Sequence, residues 1–384
     1  FRSGFPRSRI QFTEPLCMCR HAHIVIWRCL PLLFLSSVLE GAALRTPNAE
    51  VLHARACRRE GNCLGPCIGP LTIEPTRRYD LPGNFHGAGL QLNNVQKAVC
   101  IIPQDAFEIQ HTPHGAQQLY KCWSWWQLHS SAQPVLLDET GQLAVAQSPL
   151  VRGLYYGFNL SGVQTPGRLT PEERAVAVQP VRHSGWQGDE EQWFVDERHA
   201  HALRDRWLRQ SALRTQPRIG LLQRRSGRTL LQEEELLVAL RELAPTDVET
   251  FESKGFREQM GFMNGHDIVV SPHGAQLTSV PFMPDCGGVV EVYPRYYWIP
   301  GFFGSLANNS GLEYRAIYTS AVDPADDVSG SELAKNAVLR REARAVDLCV
   351  SIAEVVRAVE ELLARRERCM ARRGFAALAD RRAT

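Results

Sequence analysis

No glycine-rich phosphate fingerprint of the GxGxxG or GxxxxGK kind occurs in these 384 residues, which removes the usual sequence signatures of dinucleotide folds and P-loops. No Asp-x-Asp pair is present either, so no acidic motif stands ready to bridge a metal ion to a diphosphate. Net charge is close to zero, at +2, and gives no global attraction for nucleic acid or for an anionic membrane surface. No internal repeat is visible. No uninterrupted apolar run reaches the roughly 20 residues that a spanning helix needs.

What the chain does have is a 44% hydrophobic composition, enough to bury a large core in two domains or one long α/β unit. Arg2, Arg7, Arg9 and Arg20 precede an apolar segment, Ile24 to Leu39, that Arg28 and Pro31 interrupt and small residues follow. That pattern reads as a signal peptide or short signal anchor. Eleven cysteines fit an oxidising secretory compartment better than the cytosol. Cys57, Cys63 and Cys67 suit a disulfide that ties down a loop, their spacing being a poor match to paired zinc knuckles. Two sequons, at Asn159 and Asn308, agree with a lumenal location.

Along the chain, residues 45–104 are loop-rich, with one convincing strand from Lys97 to Ile102. A core helix is expected in the aromatic stretch up to Leu128, then a strand at Pro134 to Leu137 and a helix that Ser148 caps ahead of Pro149. Arg174 to Val181 reads as another strand, residues 183–192 as a surface crossing, and a helix follows from Asp196 to about Ser211. Beyond this point strand and helix alternate: strands at Arg218 to Leu222, Asp247 to Phe251, Ile268 to Val270, Val289 to Val292 and Tyr314 to Tyr318. Helices are expected from Glu233 to Leu243, from Phe256 to Asn264, and briefly up to Met283. Such alternation predicts a parallel, doubly wound sheet. Residues 323–331 read as a linker, and Ser351 to about Arg366 as an amphipathic helix.

Two turns carry the chemistry. His273, Gly274 and Ala275 stand at the carboxyl end of a strand and just before a helix, where close backbone approach and free N–H groups favour an anion. Arg224, Arg225 and Arg228 surround a glycine at the end of another strand and suit a diphosphate through charge-assisted hydrogen bonds. In the first half, His111 and His114 enter the aromatic helix. Either is a general base near neutral pH; as metal ligands the pair lacks an evident third partner.

The blocks RRSGRTLLQEEELLVAL, GFREQMGFMNGHD and VVSPHGAQLTSVPFMPDCGGVVEVYPR, in this order and spacing, resemble glycosyltransferase family 61. The resemblance implies an α/β, GT-B fold: two Rossmann-like halves facing across a cleft, after a leader at 1–45. It implies an acceptor-side half at 46–195, a nucleotide-sugar-binding half at 196–325, and a linker with a C-terminal helix at 326–384. It implies an inverting transfer of N-acetylglucosamine or a pentose such as xylose from a UDP-sugar to a glycan or glycoprotein acceptor. No metal cofactor and no nucleic acid is expected. The setting implied is the Golgi or endoplasmic reticulum lumen, with an N-terminal membrane anchor of single-pass type II kind if the leader is retained. Position by position, it places Arg224, Arg228, Gln259, His273, Gly274, Ala275 and Glu291 on the nucleotide sugar, with Glu291 on the ribose, and His114 or His111 as catalytic base. The chain departs from the family in having Gln232 for an asparagine. It also has Gly115 and Ala116 where acidic residues follow the His-x-x-His pair, so the base is one of the two histidines or an acid elsewhere. The alternative is a non-catalytic nucleotide- or glycan-binding relative.

Overall fold

The structure is a computed structural model that describes residues 85–86, 96–106, 108–180, 193–208, 214–319 and 336–383. The leader segment, the Cys57, Cys63 and Cys67 cluster, most of the loop-rich stretch, and the two expected linkers at 183–192 and 323–331 lie outside these residues. Among the described residues no helix is long and apolar enough to cross a membrane.

The first part of the chain forms β1 (Lys97–Ile102), α1 (Thr112–Leu128), β2 (Gln133–Asp138), α2 (Pro149–Leu160) and α3 (Glu197–Trp207). β1 and β2 pair in parallel over their whole length, Val99 opposite Val135. Ser148 caps α2 as its position before Pro149 predicts, its hydroxyl accepting from the Val151 N–H at 3.3 Å. α1 is the core helix: Trp123 stacks on Phe158 of α2 with ring centroids 5.6 Å apart, and the Trp126 indole N–H donates to the Ala98 carbonyl.

The second part forms β3 (Ile219–Gln223), α4 (Glu233–Arg241), β4 (Thr246–Thr250), α5 (Phe256–Gly265), β5 (Ile268–Pro272), β6 (Gly288–Tyr293), α6 (Gly301–Asn309) and β7 (Glu313–Tyr318). α7 (Ala337–Ala345) and α8 (Ile352–Ala383) follow. The five strands make one all-parallel sheet in the order β4-β3-β5-β6-β7. Both faces are covered, as a parallel sheet requires. Along each strand the side chains alternate: Leu221, Val270 and Val290 pack with α4 and α8, while Leu222, Val269 and Val289 join the core that also holds α1, α2 and α3. One hydrophobic core thus spans both parts of the chain. A Cβ at Gly153 of α2 would collide with the Phe256 ring of α5, so that glycine lets the two helices meet.

The architecture is mixed α/β with parallel sheets. Four local expectations change. The strand expected at residues 174–181 is confined to its end: Thr170 and Glu173 form a reciprocal capping box that starts a short helix at Pro171–Ala175, Val178 bridges Cys100 of β1, and Gln179–Pro180 pair with Phe85–His86. The segment after His273 is a 3₁₀ helix, Ala275–Phe282, with Pro281 inside it unable to donate a helical hydrogen bond. α6 and α7 are helices that periodicity does not announce, and α8 runs well past Arg366.

Two disulfides brace these layers. Cys100–Cys122 ties β1 to α1, and Cys286–Cys369 ties the turn before β6 to α8 across 83 residues of sequence. Closing so long a loop restricts the unfolded chain strongly. The Cys286→Ser/Cys369→Ser protein is therefore expected to lose about 2–4 kcal/mol of stability in urea unfolding, with the midpoint lowered and the native circular dichroism retained.

Candidate functional site

In an open parallel sheet, ligands bind outside the carboxyl ends of the strands where the strand order reverses. Here the order reverses between β3 and β5, the first and third strands of the sheet. The loop after β3 carries Arg224 and Arg228, and the turn after β5 carries His273 and Gly274. The two turns singled out by their residue types therefore flank the switch point.

Gln223 shapes the arginine loop. Its carbonyl oxygen accepts from the Arg224 and Leu230 N–H groups, each at 2.9 Å, and its amide donates to the Leu230 carbonyl at 3.0 Å and to Glu233 at 2.7 Å. Inside this clamp Gly227 and Arg228 both take left-handed backbone, φ 59° and 62°. For Arg228 that conformation carries steric strain of roughly 1–2 kcal/mol. The loop's far side is held by the segment after α7: the Arg228 N–H donates to the Val346 carbonyl at 2.8 Å, and Gln232 exchanges two hydrogen bonds with the Val350 backbone.

The Arg224 guanidinium bridges the two turns. Nε donates to the Gly227 carbonyl and Nη1 to the Gln276 side-chain oxygen, both at 2.9 Å, while the Gln276 amide anchors itself on Ser271 and the Pro272 carbonyl. Gly274 has ordinary extended backbone, and its role is space: a Cβ there would sit 2.6 Å from Arg224 Nη1 and 2.5 Å from Gln276 Oε1.

A third arginine joins from α7. Arg344 spends its Nε on the Arg340 carbonyl, and its guanidinium lies 5.8 Å from the centre of the Tyr297 ring. Among the described residues no carboxylate forms an ion pair with Arg224, Arg228 or Arg344. Arg228 is pushed down to about 10, first by burial, then by the charge of Arg224, with Arg344 adding to it. Its buried Nε has no hydrogen-bond partner among the described residues. Arg224 is also lowered, chiefly by burial, with Glu252 acting against this.

His273 stands within the field of all three arginines and is 5% exposed. Its ring stacks on Tyr293 at 4.9 Å and packs against Tyr297 and Phe303. Nδ1 meets Glu291 Oε1 at 2.6 Å, and the other Glu291 oxygen accepts from the Tyr314 hydroxyl. Both oxygens of Glu291 are thus engaged and the residue is fully buried. Burial lifts Glu291 to about 8, against the lowering effects of the tyrosine hydrogen bonds and Arg228. Burial first, then Arg228, Arg344 and Arg224, hold His273 well below its ordinary value. The pair is a protonated carboxyl and a neutral imidazole, and Nε2 is the ring nitrogen left for a ligand.

Gln259 belongs to the support. Its amide donates to the Lys254 carbonyl and its oxygen accepts from Ser279, so it pins the 3₁₀ segment to α5. Ala275 opens that segment.

His111 and His114 come from the other part of the chain, yet they belong to the same locality. α1 is held on the 3₁₀ segment by a hydrogen bond from the Tyr120 hydroxyl to the Thr278 carbonyl at 2.9 Å. His111 is lowered by burial, opposed by Glu108, and then by the fields of Arg344 and Arg228, which puts it within electrostatic reach of the arginine cluster. The acid that the sequence lacks after His114 is supplied from before it: Glu108 Oε2 lies 3.6 Å from His114 Nε2. Gly115 could not carry that acid, because its Cβ would strike the Ile109 carbonyl.

Sequence reasoning missed Arg344, Gln276 and Glu108. Arg344 sits far along the chain in an arginine-rich segment that reads as solvated. Gln276 is visible only as a neighbour of the HGA turn, and Glu108 precedes the histidine pair where an acid was sought after it.

The family profile described as Glycosyltransferase 61 matches residues 95–290, just over half of the chain. The chain is also 34% identical, over 101 residues, to a protein of Drosophila melanogaster named EGF domain-specific O-linked N-acetylglucosamine transferase. That match covers 26% of this chain and 19% of the relative, so the chain spans about a fifth of the relative's length.

The buried pair gives a pH signature. An unfolded Glu291 loses its proton near the ordinary carboxylate value of 4.5, whereas the folded one keeps it to about 8. Between these values the native state binds more protons than the unfolded state, so this group makes stability fall as pH rises, by up to about 1.4 kcal/mol per pH unit. Below pH 6.5 the lowered His273 acts in the opposite direction, so urea midpoints measured from pH 6.5 to pH 8 are expected to show that decline in the wild type and a flatter profile in Glu291→Gln.

Proposed function

The chain belongs to glycosyltransferase family 61, and from that premise we propose that it transfers a sugar from a UDP-sugar to a hydroxyl of a glycan or protein, with inversion and without a metal cofactor. The observation that carries this reading is the cluster of Arg224, Arg228 and Arg344 beside His273 at the switch point, with no carboxylate paired to any of them among the described residues. Clustered cations without counter-charge are poised for a multiply charged anion, and a diphosphate fits the fork geometry of guanidinium groups.

Chemistry follows from that placement. The acceptor oxygen attacks the anomeric carbon as the bond to the diphosphate oxygen breaks. Negative charge then grows on the leaving UDP, where the three arginines and the Nε2–H of His273 stabilise it electrostatically. The acceptor's proton passes to His114, and Glu108 stabilises the imidazolium so formed. The relative's printed name makes UDP-N-acetylglucosamine the first donor to try, with UDP-xylose as the second. The two disulfides support the reading of an oxidising lumen of the Golgi or endoplasmic reticulum. A two-sided GT-B arrangement, with the sheet of β3 to β7 as the donor half, is part of the same proposal.

Isothermal calorimetry with UDP tests the donor side directly. Arg228→Gly removes a charge-assisted contact and also the left-handed strain. UDP affinity is expected to fall about 10- to 100-fold, while thermal stability is unchanged or higher; wild-type protein that binds no UDP would end the reading. Arg344→Gln should weaken UDP by a comparable factor and reduce the dependence of affinity on salt.

For the base, His114→Ala is expected to lower the transfer rate by about 10²–10⁴ with UDP affinity near wild type. A normal rate in that variant would move the base elsewhere.

A further inference from the structure

The second feature at this locality is a set of donor atoms that the transfer reaction does not need as a set. Glu108, His111 and His114 each offer one ligand atom, and the three atoms lie within 4.8 Å of one another. Local backbone brings them together. A turn closed by the His111 N–H on the Glu108 carbonyl at 2.7 Å sets the acid beside the first histidine, and His111 in turn opens the helix whose first turn carries His114. Glu108 Oε2 stands 3.6 Å from His114 Nε2, and the two imidazole centroids are 5.0 Å apart.

Ligand atoms around a zinc-sized ion at bond lengths of about 2.0–2.2 Å sit roughly 3–3.5 Å apart. The set is therefore at most about 1.3–1.8 Å too open, a difference that rotation of the exposed Glu108 and His111 side chains closes onto the half-buried His114. We propose that Glu108, His111 and His114 form a binding site for one divalent transition-metal ion of the zinc class, and that filling it switches the enzyme off.

Donor chemistry selects the ion. Two imidazoles and one carboxylate suit zinc, cobalt or nickel, whereas magnesium and calcium prefer oxygen ligands throughout. Three protein ligands leave a coordination position to water, so the ion exchanges with solvent and is not a permanent structural element. The switch rests on the assignment of His114 as base: coordination takes the lone pair with which His114 accepts the acceptor's proton, and no electron or further reactant is involved. The nearby arginines oppose a dication, and a bound diphosphate screens them. Ion and UDP are thus expected to strengthen each other's binding, reciprocally.

Cobalt(II) titration of the whole chain, followed by its visible ligand-field absorption and by calorimetry, tests the site without any transferase assay. One equivalent is expected to bind saturably, at least tenfold more tightly with UDP present. Glu108→Gln and His111→Gln, each checked for native circular dichroism, are expected to weaken binding at least tenfold. Zinc at saturating concentration is expected to abolish transfer, and a chelator to restore it. Absence of a one-equivalent phase, or equal binding in both folded variants, overturns the site, and zinc binding that leaves transfer intact overturns the switch. Cobalt binding together with no transfer under any chelated condition counts against the transferase reading and leaves the metal site standing.

Discussion

Positive charge that no carboxylate pairs with among the described residues is the constraint on which this structure turns. Arg224 and Arg344 depress Arg228, and the three arginines together depress His273. Repulsion of this kind opposes folding unless the backbone that bears the charges is fixed by other means. The groups that fix it are neutral amides. Gln223 clamps both ends of the arginine loop, Gln276 receives Arg224, and Gln232 locks the segment that follows Arg344. A carboxylate in place of Gln276 would also accept from Arg224, but it would cancel that charge and could not donate to Ser271 and the Pro272 carbonyl. Glu291, the acid whose field reaches Arg228, obeys the same logic, because burial keeps its proton on. The site remains available to an anion from outside.

Much of the scaffold was legible because its period is strong. β1 has the bounds read from Lys97 to Ile102, and the strands of the parallel sheet are displaced by a residue or two from their expected ends. The two anion turns were legible as residue types at strand ends. Strand order made them a site, and order is a long-range property that no local pattern contains. α6 and α7 were illegible for different reasons. α6 begins after Pro300 without a side-chain cap and is apolar nearly all round, so it has no contrast between faces. α7 is rich in arginine and looks solvated, yet one of those arginines turns back over Tyr297. Glu291 was visible as an acid at the end of a strand, but its partner could not be: His273 lies 18 residues earlier, and the two meet because β5 and β6 are neighbours in register.

The two parts of the chain are not independent bodies joined by a hinge of loose contacts. One face of the parallel sheet, the 3₁₀ segment and helices α1 to α3 share a single core, and α2 meets α5 through a glycine that admits no side chain. Rigidity of this kind has a chemical use. It fixes the histidine pair relative to the arginines through packing, with Tyr120 on Thr278 as the polar pin; on the proposed function, the base and the leaving-group charges would then not have to find each other at each turnover.

Backbone strain points the same way. Four described non-glycine residues take left-handed backbone: Glu108, Arg228, Cys286 and Tyr296. Cys286 is held by its disulfide, and Tyr296 by the Tyr318 hydroxyl, which accepts from its N–H at 2.7 Å. Glu108 and Arg228 are held by backbone hydrogen bonds, the His111 N–H donating to the Glu108 carbonyl at 2.7 Å and the Arg228 N–H to the Val346 carbonyl at 2.8 Å, yet a glycine or asparagine at either position would relieve roughly 1–2 kcal/mol. What Glu108 and Arg228 share is a charged side chain presented to the same locality, one anion beside the histidines and one cation beside the His273 turn. Strain at such positions persists when the side chain matters more than the backbone that carries it.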